Sequence, residues 1–367
     1  MSIINVMWAG GSPFASVHKV HRQILSQIDP AMPIRTWLLQ GSESACLEGV
    51  GPAREWNLTS AKLKGRHFWR LFRPWMHSRF RQALLDSAAQ VVLLDGLGVA
   101  RTLLPVLKDM PHIHVVVIFH GATRLNAVGR DLLRGFAPSR LALAAVSQTL
   151  AASLQEALGL PVTALRSAFD PAGFQTCLLP REEARARMHL PLAGPRIFGA
   201  VGRLVDKKGF ASLLDAFALA AVAQPDWRLV IVGEGPAREA LQARIDQPDL
   251  VDKVLLAGHL EDVAKLYRAF DWVLVPSFEE GLGLILQEAI LAGVPVLASD
   301  LAVFREQLAD AGWYAPAGDE SAWGEAITRA SEASAEAVAA AQYQALAPDE
   351  AWSGFCRTAR ELISGRQ

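Results

Sequence analysis

Two glutamates, Glu280 and Glu288, lie inside one of the most apolar stretches of the chain, 277-SFEEGLGLILQEAILAGVPVLASD-300. A carboxylate in an apolar setting is costly unless something binds it. The sequence predicts a strand that ends at Pro276 and a helix that begins near Gly283. Since a helix rises 1.5 Å per residue, Glu288 lies about 7.5 Å beyond Gly283. The two carboxylates are therefore expected on either side of a helix N-terminus.

This helix N-terminus is a predicted anion site, because its unpaired N–H groups point outward and Gly281 and Gly283 let the backbone approach a ligand closely. Carboxylates accept hydrogen bonds from hydroxyls. A molecule with hydroxyls at both ends and a diphosphate between them fits this pattern, and a sugar nucleotide is such a molecule. The alternative interpretation is that Glu280 is a solvated loop residue and Glu288 pairs with a nearby lysine.

A second predicted anion site is the loop in 200-AVGRLVDKKGF-210. It places Arg203, Lys207 and Lys208 between a strand that ends at Gly202 and a helix that follows Gly209. Cationic side chains beside a helix N-terminus bind anions well, because the free N–H groups add to the side-chain charge. The alternative is an ordinary solvated basic loop.

Apolar strand-like runs alternate with helical stretches along the whole chain, which indicates an α/β protein built of βαβ units with parallel sheets. At 367 residues the chain is expected to form two domains. We predict two Rossmann-like, doubly wound domains that face a central cleft, with ligands at the carboxyl ends of the strands. The predicted strands are 3–9, 34–40, 90–96, 113–121, 142–147, 197–203, 227–235, 253–258, 271–277 and 294–300.

The predicted domain boundary falls in the turn-rich segment 166–184. Residues 1–170 are assigned to an N-terminal acceptor-binding domain, and residues 171–345 to a C-terminal domain that binds a sugar nucleotide. Residues 346–367 are predicted to form a C-terminal helix that crosses back to the N-terminal domain.

The segment E-G-L-G-L-I-L-Q-E (280–288) resembles the E-x7-E motif of glycosyltransferase family 4, the retaining enzymes with the GT-B fold. The loop 202-GRLVDKKG-209 is similar to the phosphate loop of that family, and residues 195–316 match it in order and spacing. The linker 166-RSAFDPAGF-174 departs from the family, because it lacks the Asn-Gly of the usual turn. That departure concerns hinge details rather than the donor site.

The resemblance implies roles for individual residues. Arg203 and Lys208 would bind the donor diphosphate, Glu280 would meet the hydroxyls of the donor sugar, and Glu288 would bind the ribose. His120, at a strand end in the N-terminal half, resembles a histidine that lies beside the donor sugar. A lone histidine is more often structural, but the position of His120 at a strand end that faces the predicted cleft favours a functional role. The other donor-binding residues that the resemblance implies are Gly10, Gly11, Gly233, Leu260, Gly281, Leu282 and Gly283.

The chain has no Asp-x-Asp motif and no His/Asp cluster with the sequence spacing of metal ligands, so we expect no metal and no cofactor. The positive groups of the donor site would instead neutralise the leaving diphosphate. The resemblance implies transfer of a hexose-type sugar with retention at the anomeric carbon, from a UDP-sugar in preference to a GDP- or ADP-sugar. The rival hypotheses are a sugar-nucleotide epimerase on the same fold and a non-catalytic nucleotide-sugar binding protein.

The two halves differ in charge: residues 1–175 hold 18 Lys+Arg against 10 Asp+Glu, and residues 176–367 hold 18 against 27. Within the basic half, 62-KLKGRHFWRLFRPWMHSRFRQALL-85 mixes seven basic residues with aromatic ones and holds no acid. Such a segment suits an anionic membrane surface, or it could be a helix with its aromatics in the core. No nucleic-acid motif accompanies it. The candidate membrane or acceptor contacts are Arg66, Trp69, Arg70, Arg73 and Trp75.

The sequence has no uninterrupted apolar run of membrane-spanning length, its start lacks the basic region of a signal peptide, and its three cysteines are scattered. We therefore expect a cytoplasmic protein that binds peripherally to the inner face of the membrane. The expected acceptor is a glycan or a lipid-linked glycan of the bacterial cell envelope, such as lipopolysaccharide core, capsule or exopolysaccharide.

Overall fold

The computed structural model describes residues 2–9, 15–41, 51–64 and 71–365 and divides the chain into two compact units. The first unit comprises Met1–Ser167 and Ser353–Gln367, and the second comprises Ala168–Trp352. The boundary between Ser167 and Ala168 falls inside the turn-rich segment 166–184. Each unit is built around one parallel β-sheet.

The described part of the first unit holds seven strands: β1 (Ser2–Ala9), β2 (Ile34–Gln40), β3 (Ala53–Glu55), β4 (Ala89–Asp95), β5 (His114–Phe119), β6 (Leu141–Ala145) and β7 (Thr163–Ala164). Its helices are α1 (Ala15–Leu25), α2 (Ser60–Lys64), α3 (Arg73–Asp86), α4 (Gly96–Leu107), α5 (Ala127–Arg134) and α6 (Gln148–Leu158), with a short 3-10 turn at Pro138–Arg140.

The second unit holds β8 (Arg196–Val201), β9 (Trp227–Val232), β10 (Val254–Gly258), β11 (Trp272–Val275), β12 (Val296–Ser299) and β13 (Trp313–Ala315). Its helices are α7 (Pro171–Cys177), α8 (Arg181–Arg187), α9 (Phe210–Ala220), α10 (Arg238–Ile245), α11 (Leu284–Leu291), α12 (Ala302–Leu308), α13 (Glu320–Glu332) and α14 (Ala335–Leu346). Its 3-10 turns are Asp206–Lys208, Val263–Ala269 and Ala309–Ala311.

The continuous apolar runs form strands that are buried on both faces. In β9, Val230 packs into one hydrophobic cluster of the second unit, whereas Leu229 and Ile231 pack into the other. Successive side chains of a strand point to opposite faces, so a strand covered on both faces must be apolar throughout. This is why these strands show no alternation of polar and apolar residues.

The strand order places a topological switch point in each sheet. The first sheet runs β3-β2-β1-β4-β5-β6-β7, and the second runs β10-β9-β8-β11-β12-β13. The order reverses direction between β1 and β4 in the first sheet and between β8 and β11 in the second. Ligands of open parallel sheets bind in the crevice outside the carboxyl ends of the strands at such a point.

The last helix, α15 (Pro348–Ser364), begins in the second unit, and its residues from Ser353 onward cluster with the first. Within the first unit, the Leu362 carbonyl accepts a hydrogen bond from His114 Nε2 at 2.9 Å. The buried side chains Phe355, Ala359 and Leu362 form its packed face. The C-terminal end of the chain is thereby part of the first unit.

Candidate functional site

The two predicted anion loops of the second unit meet each other. The loop 202–209 follows β8 and the turn 276–283 follows β11, and these strands are neighbours at the switch point. The Phe278 N–H donates a hydrogen bond to the Lys207 carbonyl at 2.9 Å. Gly209 has a φ of +70°, and a Cβ built on it would lie 2.0 Å from the Pro276 carbonyl oxygen. Only glycine permits this approach of the two loops.

Lys208 and Glu280 are joined where the loops meet. Lys208 Nζ lies 2.5 Å from Glu280 Oε1, and the Ser277 hydroxyl donates to the same oxygen at 2.8 Å. The two side chains are only 16% and 10% exposed. The cation expected to bind phosphate and the carboxylate expected to bind a sugar are thus ion-paired with each other, which sequence reasoning did not predict.

Two buried glutamines, Gln307 and Gln287, stabilise the turn before α11. Gln307 Nε2 donates to the Leu282 carbonyl at 2.7 Å, and Gln287 Nε2 donates to Gln307 Oε1 at 2.8 Å. Gly283 lies at the N-terminus of α11 with a φ of +82°, and a Cβ built there would lie 2.4 Å from the Phe304 ring. The predicted helix start near Gly283 is confirmed, and buried side chains fix the direction in which this helix N-terminus points.

Glu288 lies in α11 and is 4% exposed. The hydroxyl of the fully buried Tyr267 donates to Glu288 Oε2 at 2.8 Å. Burial raises the pKa of Tyr267 well above its usual value, and the neighbouring Glu288 charge raises it further. The tyrosine therefore stays protonated and acts as a hydrogen-bond donor. Glu288 therefore accepts a hydrogen bond from a buried hydroxyl.

The remaining predicted donor residues of the second unit lie around the same strand ends. Arg203 is exposed, and no hydrogen bond or ion pair is found for its side chain among the described residues. Gly233 follows β9, and its N–H donates to the Gly258 carbonyl at 2.8 Å. Leu260 is partly buried against the hydrophobic core, and Gly281 is half-buried in the turn before α11.

In the first unit, His120 lies at the end of β5 beside Asp95 at the end of the neighbouring strand β4. His120 Nε2 lies 3.7 Å from Asp95 Oδ1 and 3.1 Å from Nε2 of His21 in α1. The ligand atoms of these three residues lie within 4.8 Å of one another, and their residue types can coordinate metals. Sequence spacing gave no sign of this cluster, because sheet topology brings its members together.

Burial determines the charges of this cluster. It raises the pKa of Asp95 to about 6, although the Trp8 N–H, which donates to Asp95 Oδ2 at 3.1 Å, favours the charged form. Burial, together with nearby His18, lowers the pKa of His120 to about 3. Above pH 6 the cluster therefore holds an ionised carboxylate and neutral imidazole.

Five predicted contact residues lie outside the described residues: Gly10, Gly11, Arg66, Trp69 and Arg70.

The described part of the basic and aromatic segment lies mainly in α3. Trp75 is 59% exposed and Arg73 is half-buried, whereas Phe80 is fully buried against Trp37 and Trp56. The described part of the segment thus contributes Phe80 to the core and presents Trp75 and Phe72 to solvent. A cavity of about 530 Å³ adjoins Trp75 and is lined by residues that include Trp56, Leu58, Lys62, Phe72, Met76 and Arg79.

Within the described ranges, the structure has no helix whose length and apolar character would let it span a membrane.

A family model described as glycosyl transferases group 1 matches residues 182–345. This range contains both anion loops and all four side chains at their centre, which are Arg203, Lys208, Glu280 and Glu288. It lies within the second unit.

Three relatives show how far the likeness extends. The 2-deoxystreptamine glucosyltransferase of Streptomyces kanamyceticus is 32% identical over 47% of this chain and 45% of that protein. The lipopolysaccharide core biosynthesis mannosyltransferase LpsB of Rhizobium meliloti is 27% identical over 54% and 56%. A phosphatidyl-myo-inositol mannosyltransferase of Mycobacterium leprae is 30% identical over 70% and 68%. The chain spans about half the length of the first two relatives.

Two solved structures show the fold. A glycosyltransferase from Rickettsia africae superposes with a TM-score of 0.81 at 14% identity, covering 99% of this chain and 97% of that one. HepE of Anabaena, solved in complex with UDP, superposes with a TM-score of 0.78 at 19% identity, covering 99% and 100%. The predicted GT-B architecture of two parallel-sheet α/β domains is confirmed.

Proposed function

The chain belongs to the family of glycosyl transferases group 1, and on that premise we propose that it transfers a hexose-type sugar from a nucleotide-diphosphate sugar to a glycan or lipid-linked acceptor. The observation that carries this proposal is the meeting of two anion loops at the switch point of the second sheet. There Lys208 and Glu280 form an ion pair in the loops that precede α11, the helix that carries Glu288. A donor with a diphosphate between two hydroxyl-bearing groups matches these chemical groups.

Each predicted donor-binding residue of the second unit has a role in the proposal. Arg203 and Lys208 hold the diphosphate, because charge-assisted hydrogen bonds to phosphate are strong. Glu280 accepts hydrogen bonds from hydroxyls of the sugar, and Glu288, oriented by Tyr267, accepts them from the ribose. Backbone N–H groups around Leu282 and Gly283 support the phosphate or the sugar. Gly233 and Leu260 line the nucleobase pocket.

The first unit supplies the remaining groups of the proposal. Gly10 and Gly11 would lie beside the donor phosphate and acceptor, and His120 would contact the sugar. These roles follow from the family resemblance.

The proposed chemistry is a transfer with retention that uses no metal. The bond between the anomeric carbon and the phosphate oxygen breaks, and the bond from the acceptor oxygen to the same face of that carbon forms. The acceptor proton passes to the leaving phosphate oxygen. Positive groups aimed at a leaving diphosphate stabilise the charge that develops in the transition state. Arg203, Lys208 and the N–H groups at the start of α11 serve this purpose.

A turnover assay tests the proposal. The purified protein is incubated with UDP-, GDP- and ADP-sugars and with candidate glycan and glycolipid acceptors, and the product is analysed by proton NMR. We expect an α-linked product from an α-linked donor, at the same rate in EDTA. Glu280→Ala should abolish transfer, whereas Glu279→Ala, which changes the exposed neighbouring carboxylate, should preserve it. A released epimeric sugar nucleotide would instead identify an epimerase, and nucleotide binding without turnover would identify a binding protein.

We propose that the acceptor is approached at an anionic membrane surface on the cytoplasmic side. This proposal is supported by the exposed apolar side chains Leu71 (81%), Phe72 (49%) and Trp75 (59%), which lie beside basic Arg73 and Arg79. Apolar groups that insert beside basic residues suit an anionic lipid surface.

Vesicle sedimentation tests this surface. The protein should bind phosphatidylglycerol vesicles at low salt and phosphatidylcholine vesicles weakly, and Trp75→Ser should reduce the binding several-fold. Val222→Ser is the control, because Val222 is an apolar residue of the second unit that is 80% exposed. An equal effect of both substitutions, or no binding to anionic vesicles, would refute the membrane proposal without affecting the donor site.

The proposed setting is the synthesis of a bacterial cell-envelope glycan. The likeness to LpsB, a lipopolysaccharide core biosynthesis mannosyltransferase, supports it.

A further inference from the structure

A line of hydrogen bonds runs through the first unit from Thr36 to His120. Asn5 Nδ2 donates to Thr36 Oγ1 at 3.1 Å, and Asn5 Oδ1 lies 2.7 Å from His21 Nδ1. His21 Nε2 lies 3.1 Å from His120 Nε2. Asn5 and His21 are each 1% exposed, so water does not compete for these contacts.

This line determines which nitrogen of His21 is protonated. Because the amide nitrogen of Asn5 faces Thr36, its carbonyl oxygen faces His21, and an oxygen of this kind can only accept a hydrogen bond. His21 Nδ1 must therefore carry a proton. Burial lowers the pKa of His21 well below its usual value, and His120 and His18 lower it further, so the ring is neutral. A neutral ring with a proton on Nδ1 has a lone pair on Nε2.

The tautomer of His120 follows in turn. Two facing imidazole nitrogens share a hydrogen bond only if one of them donates. Since His21 Nε2 accepts, His120 Nε2 must carry the proton and donate it. The carboxylate of Asp95, 3.7 Å from this nitrogen, favours a proton there. A neutral His120 has one N–H group, so its Nδ1 is unprotonated and can accept a hydrogen bond.

We propose that His21, held by Asn5, is a positioning residue that keeps His120 in the Nε2–H tautomer, so that His120 Nδ1 accepts a hydrogen bond from a hydroxyl of the sugar. This inference rests on the proposed function, in which His120 contacts the donor sugar. It gives the site a chemical preference for a sugar that bears a hydroxyl at this position. A site built to hydrogen-bond a hydroxyl rejects the analogue that lacks it far more strongly than an apolar pocket rejects a small change of size.

NMR of the protein labelled with ¹⁵N-histidine tests the tautomer directly. His120, assigned by the signals that disappear in His120→Gln, should show a protonated Nε2 and a bare Nδ1. In His21→Phe the ring should become a mixture of tautomers. His18→Gln, on the same helix, is the control for loss of a nearby buried histidine, because His18 Nε2 contacts the Ala9 carbonyl at 2.8 Å rather than a member of the hydrogen-bonded line. A proton on His120 Nδ1 in the wild-type protein would overturn the inference.

Kinetics test the consequence for the sugar. His21→Phe should lower kcat/KM for the donor at least tenfold and leave UDP binding unchanged. His21→Gln should restore most of the activity, because its amide oxygen can accept from His120 Nε2–H. The wild-type protein should discriminate against one deoxy-sugar donor, and His21→Phe should discriminate less. A glutamine variant no better than the phenylalanine variant, despite equal melting temperatures, would contradict a positioning role.

Two further outcomes separate this inference from its premises. If the wild-type protein binds no nucleotide sugar, the proposed function fails, while the NMR result still decides the tautomer. If Zn²⁺ raises the melting temperature of the wild-type protein but not of His21→Phe, the cluster is a metal site and the tautomer inference is wrong.

Discussion

Lys208 Nζ lies 2.5 Å from Glu280 Oε1, so the two charged groups that should bind opposite parts of a donor neutralise each other. Both are mostly buried, and a partly buried charge is costly to leave without a partner. A diphosphate can replace Glu280 as the partner of Lys208 only if Glu280 keeps the hydrogen bond from the Ser277 hydroxyl and gains a second hydrogen bond from another donor. A sugar hydroxyl on the same ligand is such a donor. The ion pair would thus couple recognition of the phosphate to recognition of the sugar.

This coupling predicts that substitutions of Lys208 and Glu280 have opposite effects on the affinity for UDP. UDP has a diphosphate but lacks the transferred sugar, whose hydroxyls would donate to Glu280. Lys208→Gln should weaken UDP binding at least tenfold, because a charge-assisted contact is lost. Glu280→Gln should leave the affinity unchanged or raise it a few-fold, since it frees Lys208. Calorimetric titration measures both, with Glu279→Gln as the control. Equal weakening by the two substitutions would show that the pair does not compete with phosphate.

Tyr267→Phe tests the buried support of Glu288. The substitution removes the hydroxyl that donates to Glu288 Oε2 and leaves a buried carboxylate oxygen without that hydrogen bond. A hydrogen bond to a charged group contributes about 1.5–3 kcal/mol, so the melting temperature should fall. UDP affinity should fall as well, because Glu288 is no longer oriented. Tyr343→Phe, in α14, should leave UDP affinity unchanged, and a loss equal to that of Tyr267→Phe would count against the assigned role.

Gly209→Ala tests the approach of the two anion loops. A Cβ at this position would lie 2.0 Å from the Pro276 carbonyl oxygen, and the residue has a φ of +70°. Gly293→Ala is a matched control, because its φ is +78° and no atom lies within 4 Å of a Cβ built there. A positive φ alone costs about 1–2 kcal/mol. Both variants should lose that stability in denaturant unfolding, but only Gly209→Ala should also lose UDP binding.

Asp95→Asn tests the buried carboxylate of the first unit, which faces His120, His21 and the Trp8 N–H. Its folded pKa of about 6 exceeds the ordinary value of 3.8, so its stabilising effect is complete below pH 3.8 and is lost as pH rises through 6. The shift corresponds to roughly 3 kcal/mol. The buried histidines have lowered pKa values and change stability in the opposite direction. The effect of Asp95 is therefore measured as the difference in stability between Asp95→Asn and the wild type at each pH.

We therefore expect the stability of Asp95→Asn relative to the wild type to rise between pH 4.5 and pH 7.5. Thermal unfolding across this range measures the difference. Asp109→Asn, at an exposed carboxylate, should show no such trend. A constant difference between Asp95→Asn and the wild type would mean that Asp95 is ionised throughout.

The ten strands predicted from apolar runs are all present, because strands covered on both faces must be apolar throughout. The structure adds three that the sequence did not indicate, β3, β7 and β13. All three are short strands at the edges of their sheets and are mostly half-buried or exposed. Their existence depends on pairing with a neighbouring strand rather than on an apolar run of their own, so local sequence does not report them.

The sequence predicted the loops of the candidate site but not the contacts between its side chains. Glu280 and Glu288 stand out because acids are rare in apolar surroundings. The side-chain contacts of the site cannot be recognised in this way: Lys208 is 72 residues from Glu280, and His21 is 99 residues from His120. Such contacts depend on which strands are neighbours in the sheet. His21 in particular reads as an ordinary helical histidine until β5 places His120 beside it.

The central claim is that the loops 202–209 and 276–283 bind a nucleotide-diphosphate sugar, and the most direct measurement is binding of UDP-, GDP- and ADP-sugars by calorimetry and thermal shift. A ligand that binds only the folded state raises the melting temperature. We predict that one nucleotide sugar stabilises the wild type but not Arg203→Ala. A panel in which no nucleotide sugar binds the wild type, or in which Arg203→Ala binds as well as the wild type, would contradict the account.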